Sequence, residues 1–229
     1  MKRFGRFLLW LGLGLSLVAV ILWFTPLRRV VISSPVKSFT EAEYRNACDS
    51  LRKKARTGGD EARKKILRKA ISHDIFQYWE GTKWSFYGTT EVPGKGKIAC
   101  GYFVTTVLRD CGVPLQRATL AQQASEQIIK KLVAEKNIRR FSKVQLGEFV
   151  KAIKAKGNHA YVVGLDTHVG FLVCENGEVN FVHSSGGYPW AVVKERAEES
   201  AVLNQSKYRV TGCLTADEGF MQRWEKALQ

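Results

Sequence analysis

No two of the five cysteines (Cys48, Cys100, Cys111, Cys174, Cys213) stand in Cys-x-x-Cys spacing, so no metal site and no cofactor are expected. The chain also lacks zinc-finger spacing and any aromatic-basic RNA signature, which argues against nucleic acid as a partner. There is no internal repeat and no low-complexity tract. Acidic residues are few, 21 against 36 basic ones, which leaves a net charge of +15. With no nucleic-acid motif, the partners that suit this charge are anionic surfaces, either phospholipid head groups or an acidic cell-wall polymer. Disorder is not indicated, because 45% of the 229 residues are hydrophobic and 11% aromatic, an ordinary globular composition.

Charge is absent altogether from Phe7 to Leu27, a stretch of Leu, Val, Ile, Phe and Trp. At about 1.5 Å per residue it spans the roughly 30 Å hydrocarbon core of a bilayer. Trp10 and Trp23 sit near its ends, Lys2, Arg3 and Arg6 precede it, and Arg28 and Arg29 follow. This predicts a single-pass anchor that contacts membrane lipid through residues 7–27, with the rest of the chain outside the cytoplasm. The alternative is a cleaved signal peptide and secretion. Three domains are expected: an anchor and exit segment over 1–35, a basic helical juxtamembrane region over 36–80, and a catalytic domain over 81–229. The second carries Arg52-Lys53-Lys54, Arg56, Arg63-Lys64-Lys65, Arg68 and Lys69.

Local signals predict helices first and strands afterwards. Thr40-Glu41-Ala42-Glu43 has the form of a capping box. Thr57-Gly58-Gly59-Asp60 punctuates the helical stretch, and a second helix runs to about Trp79. Residues 81–98 form a glycine-rich loop leading to a helix from about Cys100 to Arg109, stopped by Cys111-Gly112. Further helices are expected over 119–134, capped by Thr119, and over 142–155, capped by Ser142. Strands follow at 160–165, 168–174, 178–183 and 206–214, with Glu175-Asn176-Gly177 as a hairpin turn. That order implies an α+β domain with an antiparallel sheet.

Cys100 is the most informative residue. It lies at a helix start, where the helix dipole and unpaired N–H groups are expected to lower a thiol pKa. Far downstream stand His168 and His183. A thiol, an imidazole and a second group to orient it are the parts of a cysteine-nucleophile site. His73 and His159 read as non-catalytic, and Trp79 and Trp84 as packing residues. Asn180 and Asp166 are weaker orienters. Asn180 falls on the other strand face from His183, and Asp166 points alongside the His168 ring.

The local patterns resemble the NlpC/P60 family of papain-like cysteine peptidases. The match carries Tyr87-Gly88, Cys100-Gly101-Tyr102-Phe103-Val104, Pro114-Leu115-Gln116-Arg117 with Gln122-Gln123, His168-Val169-Gly170-Phe171 and Phe181-Val182-His183, and covers roughly residues 84–190. The family's Asp before the cysteine is Ala99 here, and Gly101 follows where a Ser is usual. The resemblance implies a papain-like fold in which the nucleophile helix packs on the antiparallel sheet. It implies Cys100 as nucleophile, His168 as base, His183 as its orienter and Tyr87 as a hydrogen-bonding supporter of the oxyanion site beside the Cys100 N–H. It further implies cell-wall peptide as substrate, cleaved by a peptidoglycan stem-peptide endopeptidase. The alternatives are an inactive binding module of the same fold at the cell envelope, and an amidase or acyltransferase on another substrate.

Overall fold

The computed structural model describes residues 39–229. The expected anchor at residues 7–27 lies outside the described residues, and among those described no helix is long and apolar enough to cross a membrane.

Helix α1 (Glu41–Thr57) begins with the expected capping box: the Glu43 N–H donates to Thr40 Oγ1 at 3.2 Å, and the Thr40 N–H donates to Glu43 Oε2 at 2.7 Å. Its buried residues, Tyr44, Cys48, Leu51 and Ala55, recur every three or four positions and so form one stripe. Helix α2 (Asp60–Lys69) runs into a π-helical segment, Ala70–Asp74, and a last turn α3 (Phe76–Trp79). The Ile75 N–H reaches back five residues to Ala70 O at 3.0 Å, which lets Ile71, Ile75 and Trp79 all turn inward.

A boundary near residue 80 does not exist. Val36–Gln229 forms one compact unit, because the stripe on α1 joins the same core as Phe103, Val107 and Trp224. Part of the basic run is spent inside this unit. Arg63 pairs with Glu225 at 2.8 Å, the Arg56 guanidinium donates to Leu228 O, and Arg68 is buried.

After a short parallel pair, β1 (Lys83–Trp84) and β2 (Lys97–Ile98), comes helix α4 (Cys100–Asp110). The expected helix over 119–134 is divided into α5 (Arg117–Ala121) and α6 (Ser125–Leu132), so Thr119 lies inside a helix and caps none. Ser142 does not cap a helix either. It ends strand β3 (Ile138–Ser142), whose Ile138 and Phe141 are buried while Arg139 and Arg140 are exposed, and α7 starts later (Leu146–Lys154).

The remaining strands are β4 (Ala160–Leu165), β5 (Val169–Glu175), β6 (Glu178–Ser184), β7 (Val192–Arg196) and β8 (Tyr208–Cys213). With β3 they form one antiparallel sheet in the order β3-β8-β4-β5-β6-β7. The hairpin between β5 and β6 turns at Asn176 and Gly177, with φ of 53° and 80°; two successive positive φ values suit Asn-Gly. Short α8 (Ala201–Gln205) and C-terminal α9 (Glu218–Leu228) complete the described chain.

Strand alternation sends Val162, Phe171, Val173 and Val182 into the core shared with α1, α4 and α9. It sends Val163, Leu172, Phe181 and Cys213 into a second core shared with α7. Both sheet faces are covered, which explains why every residue of β4 is buried. The fold is thus mixed α+β with an antiparallel sheet, as the element order implies.

Helix α4 approaches α5 closely at Gly101. A Cβ there would stand 2.3 Å from Ala121 O, far inside contact distance. Gly101→Ala is therefore expected to destabilise the fold by about 1–3 kcal/mol, read as a lower urea midpoint with unchanged slope. An unshifted midpoint would contradict this packing.

Candidate active site

Cys100 is the first residue of α4, and the extended backbone of Ala99 precedes it (φ −81°, ψ 160°). The first intrahelical bond runs from the Phe103 N–H to Ala99 O at 2.8 Å, so the N–H groups before it have no helical carbonyl to meet. The Cys100 sulfur lies against the backbone N–H groups of Val169, Gly101 and Cys100 itself. Val169 follows His168 directly, so a helix start and a strand start 69 residues apart in sequence meet at the thiol.

Four hydrogen bonds hold this junction. Buried Ser184, the last residue of β6, donates its hydroxyl to Ile98 O at 2.7 Å. The Ala99 N–H donates to Gly88 O at 2.8 Å, and the Arg117 guanidinium donates to the carbonyls of Thr89 and Thr90, each at 2.9 Å. The loop before Cys100 is therefore tied to the sheet on one side and to α5 on the other.

His168 Nε2 and His183 Nδ1 are 2.8 Å apart, and their rings are nearly perpendicular. This engages one of the two ring nitrogens of His168. Gly170 makes the approach possible: a Cβ there would stand 2.8 Å from the His183 Cβ. The histidine–valine–glycine order thus has a packing reason. His183 is 1% exposed and stacks on Phe181. Its Nε2 faces Glu195 Oε1 on β7 at 3.3 Å.

Burial governs the ionisation of the site. It pulls the His168 imidazole down to about 3, with nearby His183 adding to the effect. Burial lowers His183 as well, although Glu195 opposes it. Burial pushes the Cys100 thiol up, against the lowering by its three N–H neighbours. The expectation of a depressed thiol pKa at the helix start is thereby corrected: desolvating the thiolate outweighs the partial charge of the helix terminus. The resting site is a neutral thiol beside neutral imidazoles.

Cys100 and His168 line one cleft of about 860 Å³, together with Trp84, Phe86, Tyr87, Tyr102, Gln122 and Asp166 among others. Tyr87 is 86% exposed and packs edge-on against Phe86, so it is a residue of the rim, away from the buried imidazoles. Trp84 contacts Trp190 at 5.6 Å between ring centres and belongs to the cleft, whereas Trp79 is buried in the core. The exposed large apolar side chains among the described residues are Phe86, Tyr87, Tyr188 and Trp190. All four stand on the two loops joined by the Trp84 N–H to Trp190 O bond of 2.7 Å.

The lesser candidates fall away from the chemistry. Asp166 accepts from the Lys207 N–H at 2.7 Å and the Tyr208 N–H at 3.1 Å. Asn180 pairs with Val173 and Arg196 along the sheet. His73 is exposed beside Asp74, and His159 meets Thr215. The five cysteines are all free thiols. Glu195 was not legible, since Val192-Val193-Lys194-Glu195-Arg196 reads as a solvated charged run. The available signal is that Val193 and Glu195 share a strand face. Compared with protein-family models, with curated proteins and with solved structures, the chain finds no match in any of the three.

A thiol raised by burial is alkylated faster as pH rises. Carbamidomethylation of Cys100, followed by peptide mass, is expected to climb from neutrality into the alkaline range. A plateau already reached below about pH 7, the mark of a low-pKa thiolate, would contradict the neutral resting pair.

Proposed function

We propose that the chain is a cysteine hydrolase acting on amide bonds, with peptidoglycan stem peptides at the cell envelope as its substrate. The observation that carries this reading is that Cys100, at a helix start, and His168, which is hydrogen-bonded to the buried His183, line one open cleft. His168 Nδ1 takes the thiol proton as the sulfur attacks the scissile carbonyl carbon. The N–H groups of Cys100 and Gly101, unpaired within the helix, are set to receive the oxyanion. His168 then gives its proton to the departing amine, and water releases the acyl group from sulfur by the same steps in reverse order. No ion pair need exist beforehand; the proton moves as the carbon–sulfur bond forms.

Asp166 is the one formally charged side chain lining the cleft. The excess positive charge of the chain therefore lies outside the site, and an acidic polymer would meet it elsewhere on the surface. A cleft without cations suits the neutral backbone of a peptide. Tyr87, at the rim, would join the oxyanion site only by folding inward over a bound substrate. The resemblance to NlpC/P60 peptidases supplies the choice of substrate. An anchor at residues 7–27 would hold the domain outside the cytoplasm, close to the wall. A second reading, hydrolysis or acyl transfer on an amide or thioester that bears an apolar chain, is favoured by the exposed Phe86 and Tyr87 lining the cleft.

The full chain incubated with purified peptidoglycan fragments is expected to yield new peptide termini by mass spectrometry. Cys100→Ala should remove them, a loss of about 10⁴-fold or more, and His168→Ala should slow them by about 10²–10⁴-fold. Wild-type turnover in Cys100→Ala would end the nucleophile assignment. Absence of product from a protein whose Cys100 is reactive would shift the substrate to the second reading. For the anchor, the full chain is expected to stay with membranes through an alkaline wash, and its release intact would contradict integral insertion.

A further inference from the structure

We infer that Glu195 is a positioning residue that fixes the proton arrangement of both imidazoles, so that His168 presents a bare Nδ1 to Cys100. The inference rests on the reading of Cys100 and His168 as nucleophile and base, and extends it by a fourth member that the resemblance does not supply.

The geometry is a line of atoms. His168 Nε2 meets His183 Nδ1 at 2.8 Å, and His183 Nε2 meets Glu195 Oε1 at 3.3 Å. The second contact lies off the ideal hydrogen-bond line. His183 Nε2 and Glu195 Oε1 are nevertheless both buried, with no other partner among the described residues. Two buried polar atoms facing each other cost free energy unless they bond, so they are held for each other.

Sheet register explains how they meet. Glu195 pairs with Phe181 and Val193 pairs with His183, which sets the carboxylate diagonally across from the imidazole on one face. From the turn before α8, Ser200 lends its hydroxyl to the same carboxylate. The charged and titratable groups facing His183 are thus His168 from the start of β5 and Glu195 from β7. Burial works to raise the Glu195 carboxyl, but the bonds from His183 and Ser200 outweigh it and keep it ionised.

The proton count then has one solution. An ionised carboxylate only accepts, so His183 Nε2 must carry hydrogen. His183 is neutral, which leaves its Nδ1 bare and able only to accept. The proton of the 2.8 Å contact therefore sits on His168 Nε2, and the Nδ1 of neutral His168 is bare. Without Glu195 the opposite arrangement becomes available, with Nδ1–H on His183 and Nδ1–H on His168, and the base is then blocked by its own proton. When His168 accepts the thiol proton, the sulfur keeps the electron pair and the new imidazolium stands two hydrogen bonds from a carboxylate that stabilises it.

The test reads tautomers directly and requires no substrate. Nitrogen-15 spectra of the imidazole rings in the full chain are expected to show Nε2–H with bare Nδ1 for both His168 and His183. In Glu195→Ala and Glu195→Gln both rings should become mixtures, since an amide can either donate or accept. Iodoacetamide should then label Cys100 about ten- to a hundredfold more slowly at neutral pH. Thermal unfolding checks that each variant is folded; if the alanine variant is not, the isosteric glutamine variant carries the test. A role in packing alone leaves the glutamine spectra and labelling as in wild-type, and that result overturns the inference, as does Nδ1–H on wild-type His183. Failure to cleave peptidoglycan would count against the proposed substrate while leaving these spectra as they are, so the two readings fail separately.

Discussion

The seat of one helix terminus on two strand ends is the constraint from which the site follows. Ile98, Ala99 and Cys100 pass from a short strand into α4, and the Ile98 carbonyl is met by the buried Ser184 hydroxyl. Leaving such a carbonyl unpaired costs about 1–3 kcal/mol. The bond thus ties the end of β6 to the residue two places before Cys100. Behind it, Phe103 packs edge-on against Phe171 at 6.2 Å and Gly101 lies flush against the Ala121 carbonyl. The helix can neither rotate nor slide without losing one of these contacts. Cys100 is accordingly presented to the start of β5, where His168 stands.

Desolvation then sets the electrostatics. A helix terminus contributes fixed partial charges that favour a thiolate, but the same packing that seats the helix removes water from the sulfur and from both imidazoles. Burial is the largest influence on Cys100, His168 and His183 alike, and it favours the neutral form of each. Under the proposed function, a site of this kind would hold its protons at rest and rely on geometry to place a bare imidazole nitrogen near the thiol. The Glu195 carboxylate lies on the far side of His183, and the close approach of β5 to β6 at Gly170 lets the two imidazoles meet.

The surface divides its properties between regions. Basic residues of α1 and α2 are partly drawn into the fold through Glu225 and the C-terminal carbonyls, and none lines the cleft. Aromatic side chains gather instead at the cleft mouth, on loops whose backbones are hydrogen-bonded to one another. The cleft and the basic surface of the chain are thus separate features.

Local sequence determined what local physics controls. Asn176-Gly177 dictated the hairpin because few other residues adopt two positive φ angles, and Thr40 with Glu43 dictated the start of α1 because the two side chains satisfy each other's backbone. The Val-, Tyr- and Phe-rich runs of 160–183 announced the central strands, and Cys100, His168 and His183 stood out by residue type and order. Tertiary structure alone decided the rest. The edge strands Ile138–Ser142 and Val192–Arg196 carry charged residues that mask their period, and only pairing with β8 and β6 makes them strands. The basic helices at 41–69 joined the main core because their apolar stripe found Phe103 and Trp224, a match between distant segments that no window of sequence contains. The direction of the Cys100 shift depended on how much water the fold leaves at the thiol, and Glu195 gained its place from strand register, a relation between two strands that neither strand encodes by itself.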